Sequence, residues 1–351
     1  MAAYTTIDDP SAYFKIQLYS GTGSSNAQTF ADTATDMQPD LVWVKERSYA
    51  DHHMLADAAR GATVQLYVNE NWVEETQAEG LKSFDSDGFT VGTRNNWNRS
   101  SNTFVAWCWK TQGGAGSSNT DGSINTTTTS VGTTQGFSIS TYTGTGSNAT
   151  IGHGIGAKPG CIIVKSRGAE SRWQVYLDNT YMGATKNLQL DDNSAVNDDN
   201  TRWQDTEPTT TVFSIGTNGR VNESSDTFVA YCWASVQGYS KFGRYKGNAN
   251  ADGAFVYLGF RPAFFLTKRA SASGNWVLWD NKRSPANPVS PWLKPDLSIV
   301  EDDDVDHCDF LSNGVKFYTT DGAGNGDHTY VYMAFAEAPF VNSEGVPGNA
   351  R

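Results

Sequence analysis

Charge is scarce in this sequence, and long apolar runs are missing. Only 18% of the 351 residues are Asp, Glu, Lys or Arg; acids outnumber bases 38 to 26, a formal net charge of −12. An acidic surplus disfavours a nucleic-acid backbone or an anionic membrane surface as partner. No apolar run reaches the length of a bilayer-spanning helix. The first residues, Met1 to Asp9, carry neither a basic n-region nor an apolar h-region, so no signal peptide is expected. Helical periodicity longer than about three turns is also missing. Cysteine is confined to Cys108, Cys161, Cys232 and Cys308, with no C-x-x-C pair. That speaks against a zinc site and predicts buried, unpaired thiols of a reducing compartment.

What is present is aromatic, β-branched and rich in Gly, Asn, Ser and Thr, the composition of short strands and tight turns. The clearest stretch is Thr103-Phe-Val-Ala-Trp-Cys-Trp109, which recurs as Thr227-Phe-Val-Ala-Tyr-Cys-Trp233 and more loosely as Thr329-Tyr-Val-Tyr-Met-Ala-Phe335. Such a run reads as a strand buried on both faces, with Val105, Trp107 and Trp109 pointing one way and Phe104, Ala106 and Cys108 the other. Other features recur in the same order. Tyr19-Ser-Gly, Tyr142-Thr-Gly and Tyr245-Lys-Gly each precede a proline (Pro39, Pro159, Pro262), and a lysine follows six residues later (Lys45, Lys165, Lys268). An aspartate then comes at Asp57, Asp178 and Asp280. Asp87-Gly88 and Asn313-Gly314 are hairpin-turn signals.

The expectation is an all-β chain of three tandem antiparallel β-sandwich, jelly-roll-like domains arising from an internal triplication. The boundaries read as an N-terminal arm (1–12), repeat 1 (13–110), a Gly/Ser/Thr-rich linker (111–135), repeat 2 (136–238), repeat 3 (239–341) and a C-terminal tail (342–351). The linker holds five Gly, twelve Ser or Thr and one charge, Asp121, although Thr126–Val131 has the residues of an edge strand.

Chemistry-bearing candidates are few. Lys45 with Asp57, Lys165 with Asp178 and Lys268 with Asp280 read as structural ion pairs that fix the register of adjacent strands, since a charge beside a core must be paired. Glu301–Asp309 has six acids in nine residues. Asp302, Asp304 and Asp306 there are oxygen donors for a cation, but EF-hand spacing is lacking and a solvated loop is the commoner reading. Asn248–Gly253 matches the front of a calcium loop but has Gly259 where the closing Glu belongs. No histidine has a partner at metal or catalytic spacing, and no nucleophile elbow occurs. Trp72, Trp97, Trp203 and Trp292 lie in polar, loop-like surroundings and read equally as glycan or protein contacts and as caps on a sandwich. No catalytic residue and no cofactor is expected.

Several motifs resemble those of a family of tailed-bacteriophage virion proteins common in marine phages. They are Ile7-Asp-Asp-Pro-Ser-Ala-Tyr-Phe14, Gln38-Pro-Asp-Leu-Val-Trp-Val-Lys45, Phe84-Asp-Ser-Asp-Gly-Phe-Thr-Val-Gly92, His153-Gly-Ile-Gly-Ala-Lys-Pro159, Gly238-Tyr-Ser-Lys-Phe-Gly243, Gly259-Phe-Arg-Pro-Ala263 and Ala338-Pro-Phe-Val-Asn342. The resemblance implies membership of a phage particle and no catalytic residues; taken with the triplicated all-β pattern and the acidic charge, the expectation is a non-enzymatic structural protein on the particle surface, a capsid decoration or tail-fibre and adhesin component, assembled in the host bacterial cytoplasm. Expected partners are other virion proteins (major capsid or tail proteins), further copies of the chain with a trimer among the arrangements, and host surface glycans. Nucleic acid and membrane are not expected partners. The alternative is a glycan-binding or glycan-degrading receptor-recognition protein of the depolymerase kind.

Overall fold

The computed structural model describes residues 3–31 and 35–348. The chain is all-β, with strands in several antiparallel sheets and helices of no more than four residues. Three lobes follow one another, each with a large sheet and a small one. In lobe 1 the large sheet runs in space Phe14–Ser20, Thr103–Trp109, Leu41–Glu46, Met54–Asp57, then the short strands Val64–Tyr67 and Glu75–Thr76. Lobe 2 keeps that order with Phe137–Thr143, Thr227–Ala234, Pro159–Ser166 and Gln174–Leu177, and lobe 3 with Ser240–Lys246, Thr329–Pro339, Phe260–Arg269 and Trp276–Asp280. The recurring aromatic strand is thus interior in every large sheet, paired on both edges, as a strand apolar on both faces requires.

Alternation along that strand divides its side chains between two cores. Phe104, Ala106 and Cys108 pack with Val91, Phe89 and Leu81 of the small sheet, making the sandwich core of lobe 1. Phe228, Ala230 and Cys232 do the same in lobe 2, and Tyr330, Tyr332 and Ala334 in lobe 3. The opposite faces do not meet solvent. Val105, Trp107, Trp109, Val229, Tyr231, Trp233, Val331, Met333 and Phe335 all belong to a fourth core shared by the three lobes. The central strands run alike around it, and the ring of Trp109 lies 6.3 Å from that of Trp233 and 5.5 Å from that of Phe335. All four cysteines are buried and unpaired, and burial raises their thiol pKa values.

Backbone bonds close the lobes into a ring. Glu74 N–H donates to Arg167 O (3.0 Å), Val196 N–H to Ala270 O (2.9 Å), and Glu301 N–H to Arg47 O (3.0 Å). Lobe 1 therefore leans on lobe 2, lobe 2 on lobe 3 and lobe 3 on lobe 1, a head-to-tail contact that closes on itself. The Gly/Ser/Thr-rich segment does not behave as a free tether. Asp40 accepts from the backbone N–H groups of Thr111, Gly113 and Gly114, and Thr128–Gly132 forms an edge strand on Phe137–Thr143. The arm is laid on lobe 3: Tyr4 donates to Gly259 O (2.8 Å), Thr5 to Gln237 O (2.7 Å), and Asp8 holds Ser343 of the tail. Residues 1–2 of the arm and 349–351 of the tail lie outside the described residues.

The Tyr-x-Gly turns have a specific job. Tyr19, Tyr142 and Tyr245 stack on Phe104, Phe228 and Tyr330 at 5.0, 5.2 and 5.0 Å. Their hydroxyls donate to the carbonyls of Trp97, Val221 and Gly324. Beside each sits a buried asparagine. Asn98 accepts from Thr22 N–H and donates to Gly92 O; Asn222 accepts from Thr145 N–H and donates to Gly216 O; Asn325 accepts from Asn248 N–H and donates to Thr319 O. Gly21, Gly144 and Gly247 let the facing backbone approach, since a Cβ there would meet a carbonyl oxygen at 2.0, 2.3 and 2.2 Å.

Candidate functional site

Two sets of polar side chains recur from lobe to lobe, one at the lobe junctions and one at the end of the molecule away from the arm. The junction set corrects the expected ion pairs. In the hairpin register Leu41 faces Asp57 and Val44 faces Met54, so Lys45 lies at the far end of the strand pair from Asp57, roughly 13 Å away at strand rise. Lys165 and Asp178, and Lys268 and Asp280, are separated in the same way. Counting residues found recurring positions but could not tell that the antiparallel return carries each aspartate away from its lysine.

The lysines cap carbonyls instead. Lys165 Nζ donates to Ser166 O (2.8 Å) and across the junction to Asn71 O (3.4 Å) of lobe 1. Lys268 Nζ donates to Arg269 O (2.7 Å) and to Ser194 O (2.9 Å) of lobe 2. Lys45 Nζ donates to Glu46 O (2.6 Å) and Tyr49 O (3.3 Å). Burial pushes all three ammonium groups down to about 8. The carboxylates whose charge most favours the ammonium forms of Lys165 and Lys268 are Asp191 and Asp296, which burial pushes up to about 6 and about 7.

The aspartates reach into neighbouring lobes. Asp57 accepts from Arg60 Nε (2.6 Å) and from Tyr231 of lobe 2 (2.7 Å). Asp280 accepts from Arg283 Nε (2.5 Å) and from Trp107 Nε1 of lobe 1 (3.1 Å). Glu74 then binds Arg167 (2.8 Å), and Glu301 binds Arg47 (2.7 Å) and Arg283 (2.9 Å). Burial alone would raise the Glu301 carboxyl, but the hydrogen bond from Arg47 and the charge of Arg283 hold it below its ordinary value. The third junction differs because the corresponding strand position is Met333, which has no donor. Asp178 is left half-exposed with Lys158 (3.0 Å), and Tyr181 and Met182 fill the contact with apolar surface. The signal overlooked in the sequence is Asp57-x-x-Arg60 and Asp280-x-x-Arg283, with Tyr181 replacing the arginine in lobe 2.

Three of the four tryptophans are core residues. Trp97 and Trp203 are 0% and 2% exposed, and Trp292 is 9% exposed beneath Lys294. Their polar neighbours in sequence belong to short helices and turns whose other face covers the sandwich, which local composition hides. Trp72 is 40% exposed. In the acidic loop, Glu301 is the junction residue just described and Asp306 accepts from Ser290. Among the described residues no group of three or more His, Cys, Asp or Glu is placed to hold a metal ion, Asp302, Asp304 and Asp306 included.

The second set lines three clefts, one per lobe, each bounded by the loop after the lysine-bearing strand and the segment before the aromatic strand. Their volumes are about 320 Å³ in lobe 1, 490 Å³ in lobe 2 and 290 Å³ in lobe 3. All lie where the aromatic strands begin, since Glu46 faces Phe104, Ser166 faces Phe228 and Arg269 faces Tyr330. The arm and tail lie where those strands finish, since Phe14 faces Trp109. About 20 Å of strand separates the two ends.

A family model described as a domain of unknown function (DUF7483) matches residues 9–339. The chain belongs to this family. The match takes in all three lobes, so the family's unit is the whole ring. No curated protein and no solved structure matches the chain.

Proposed function

We propose that this chain is a non-enzymatic structural protein of a tailed-bacteriophage particle. It is displayed at the surface as a capsid decoration or a tail-fibre and adhesin component, and is built from three copies of one sandwich unit. The observation that carries the reading is the polarity of the ring. The described arm and tail meet at one end through Asp8 and Ser343, beside clefts of about 300 and 320 Å³, and one cleft of each lobe opens at the other end. Such a body has one end to seat on partner virion subunits and one end to present. The resemblance of its motifs to those of phage virion proteins supports the assignment, and the equal strand order and repeated Tyr, Gly and Asn turn support the triplication. The half-buried ion pairs fit the same reading, because they hold lobe to lobe. The test is the position of the protein in an electron-microscopy reconstruction of the particle. Density for a three-lobed body with its arm end against the shell or tail is expected; purified particles that lack the protein would overturn the assignment.

A second reading has one observation in its favour. The exposed Trp72, packed against His52 and Tyr67 in the lobe 1 cleft, suits a receptor-recognition protein that binds or degrades glycan. Loss of host polysaccharide on incubation with the purified chain would favour the degrading form.

A further inference from the structure

The three clefts are not chemically equal. That of lobe 2 is lined by Glu170, Arg172, Arg220 and Glu223 and carries no aromatic side chain. In lobe 3 the tryptophan is buried under Lys294. In lobe 1 the Trp72 ring lies open, 5.0 Å from both the His52 and the Tyr67 rings. Its backbone is fixed from the neighbouring lobe, because Asn71 O accepts from Ser171 N–H (2.7 Å). The platform is therefore preorganised rather than a mobile loop tip, which removes much of the ordering cost of binding.

One further observation narrows the ligand. The cationic groups of the cleft are already matched. Arg99 pairs with Glu46 (3.0 Å) and Asp51 (2.7 Å), and Arg94 lies 3.9 Å from Glu75. A carboxylate or phosphate ligand would have to displace those partners, whereas a neutral ligand bearing hydroxyls would not.

We propose that the lobe 1 cleft is a binding site for an uncharged pyranose saccharide. The apolar face of the sugar lies on Trp72, as sugar C–H groups do on an aromatic ring. Its hydroxyls meet the carboxylate of Asp51 and the amide of Asn95 at the rim. The site is read from lobe 1 alone and stands whether or not the protein is carried on a particle.

The experiment is titration of the full chain against a panel of neutral oligosaccharides (glucose, galactose, mannose and N-acetylglucosamine types) and of acidic ones (polygalacturonate). Calorimetry would be run at low and high salt. Binding of at least one neutral sugar, insensitive to salt, is expected. Trp72→Ala is expected to weaken it at least tenfold with the melting temperature unchanged, and Tyr257→Ala, an exposed aromatic in lobe 3, to leave it intact. No binding across the neutral panel, unchanged affinity in Trp72→Ala, or salt-sensitive preference for the acidic sugars would each overturn the proposal.

Discussion

Asp296 shows how a buried titratable group here acts on stability. Burial raises its carboxyl to about 7 against an ordinary value of 3.8, even beside Lys268. The folded protein therefore keeps a proton that the unfolded chain releases between those two values. Its stabilising contribution is full below about pH 4 and is lost as pH rises through 7. Asp296→Asn, which removes the buried charge, is expected to raise stability at pH 8 by about 1–3 kcal/mol. Little change is expected at pH 4. Thermal melts of both proteins at the two pH values measure this, and a lower stability of the variant at pH 8 would contradict it. Lys268 remains satisfied in the variant, since Arg269 O and Ser194 O still accept from it.

At the scale of the element, the repeated turn joins the two sheets of each sandwich. Asn98 ties the Tyr-x-Gly turn to the strand that ends at Val91, and Gly21 lets the backbone at Arg99 come close. Asn98→Ala leaves Thr22 N–H and Gly92 O without this partner, and is expected to cost about 2–3 kcal/mol. Gly21→Ala drives a methyl group into the Arg99 carbonyl, and is expected to cost about 2–4 kcal/mol. Urea melts of both, compared with Gly61→Ala, test this. A Cβ at Gly61 meets nothing within 4 Å, but φ of +100° there makes the control a measure of backbone strain alone. If the Gly61 variant is the less stable, close packing at Gly21 is not what matters.

For the whole molecule, the shared core decides cooperativity. Lobe 1 alone would expose Val105, Trp107 and Trp109, which are fully or almost fully buried in the ring. The chain is therefore expected to unfold in one calorimetric transition with equal calorimetric and van't Hoff enthalpies. The isolated segment 13–110 is expected to aggregate. Three resolved transitions would mean that the central core contributes little. The junctions should be unequal: Glu301→Gln leaves Arg283, fully buried, short of a counter-charge and is expected to cost about 2–4 kcal/mol. Asp178→Asn at the third junction is expected to cost under 1 kcal/mol, because Asp178 and Lys158 are both solvated. Chemical denaturation of the two variants compares them directly.

The residues that repeat were legible because a strand buried on both faces needs apolar side chains at both parities whatever its surroundings. Alternation along Thr103–Trp109 foretold which side chains share a face, and Thr126–Val131 foretold the edge strand at Thr128–Gly132. The all-β class follows from composition and from the want of helical periodicity. What covers the Trp107 face was not legible, because contact between lobes relates residues more than a hundred positions apart. The same holds for the lysines and aspartates: their recurrence is in the sequence, but their partners are set by strand return and by the next lobe. Trp72 and Trp203 look alike in polar local sequence, yet one is open and the other buried. Sequence periodicity thus determined the strands and their two faces, since those depend on neighbours along the chain. Only tertiary structure decided the ring, the junction pairs and the open cleft, since each depends on which lobe arrives from elsewhere.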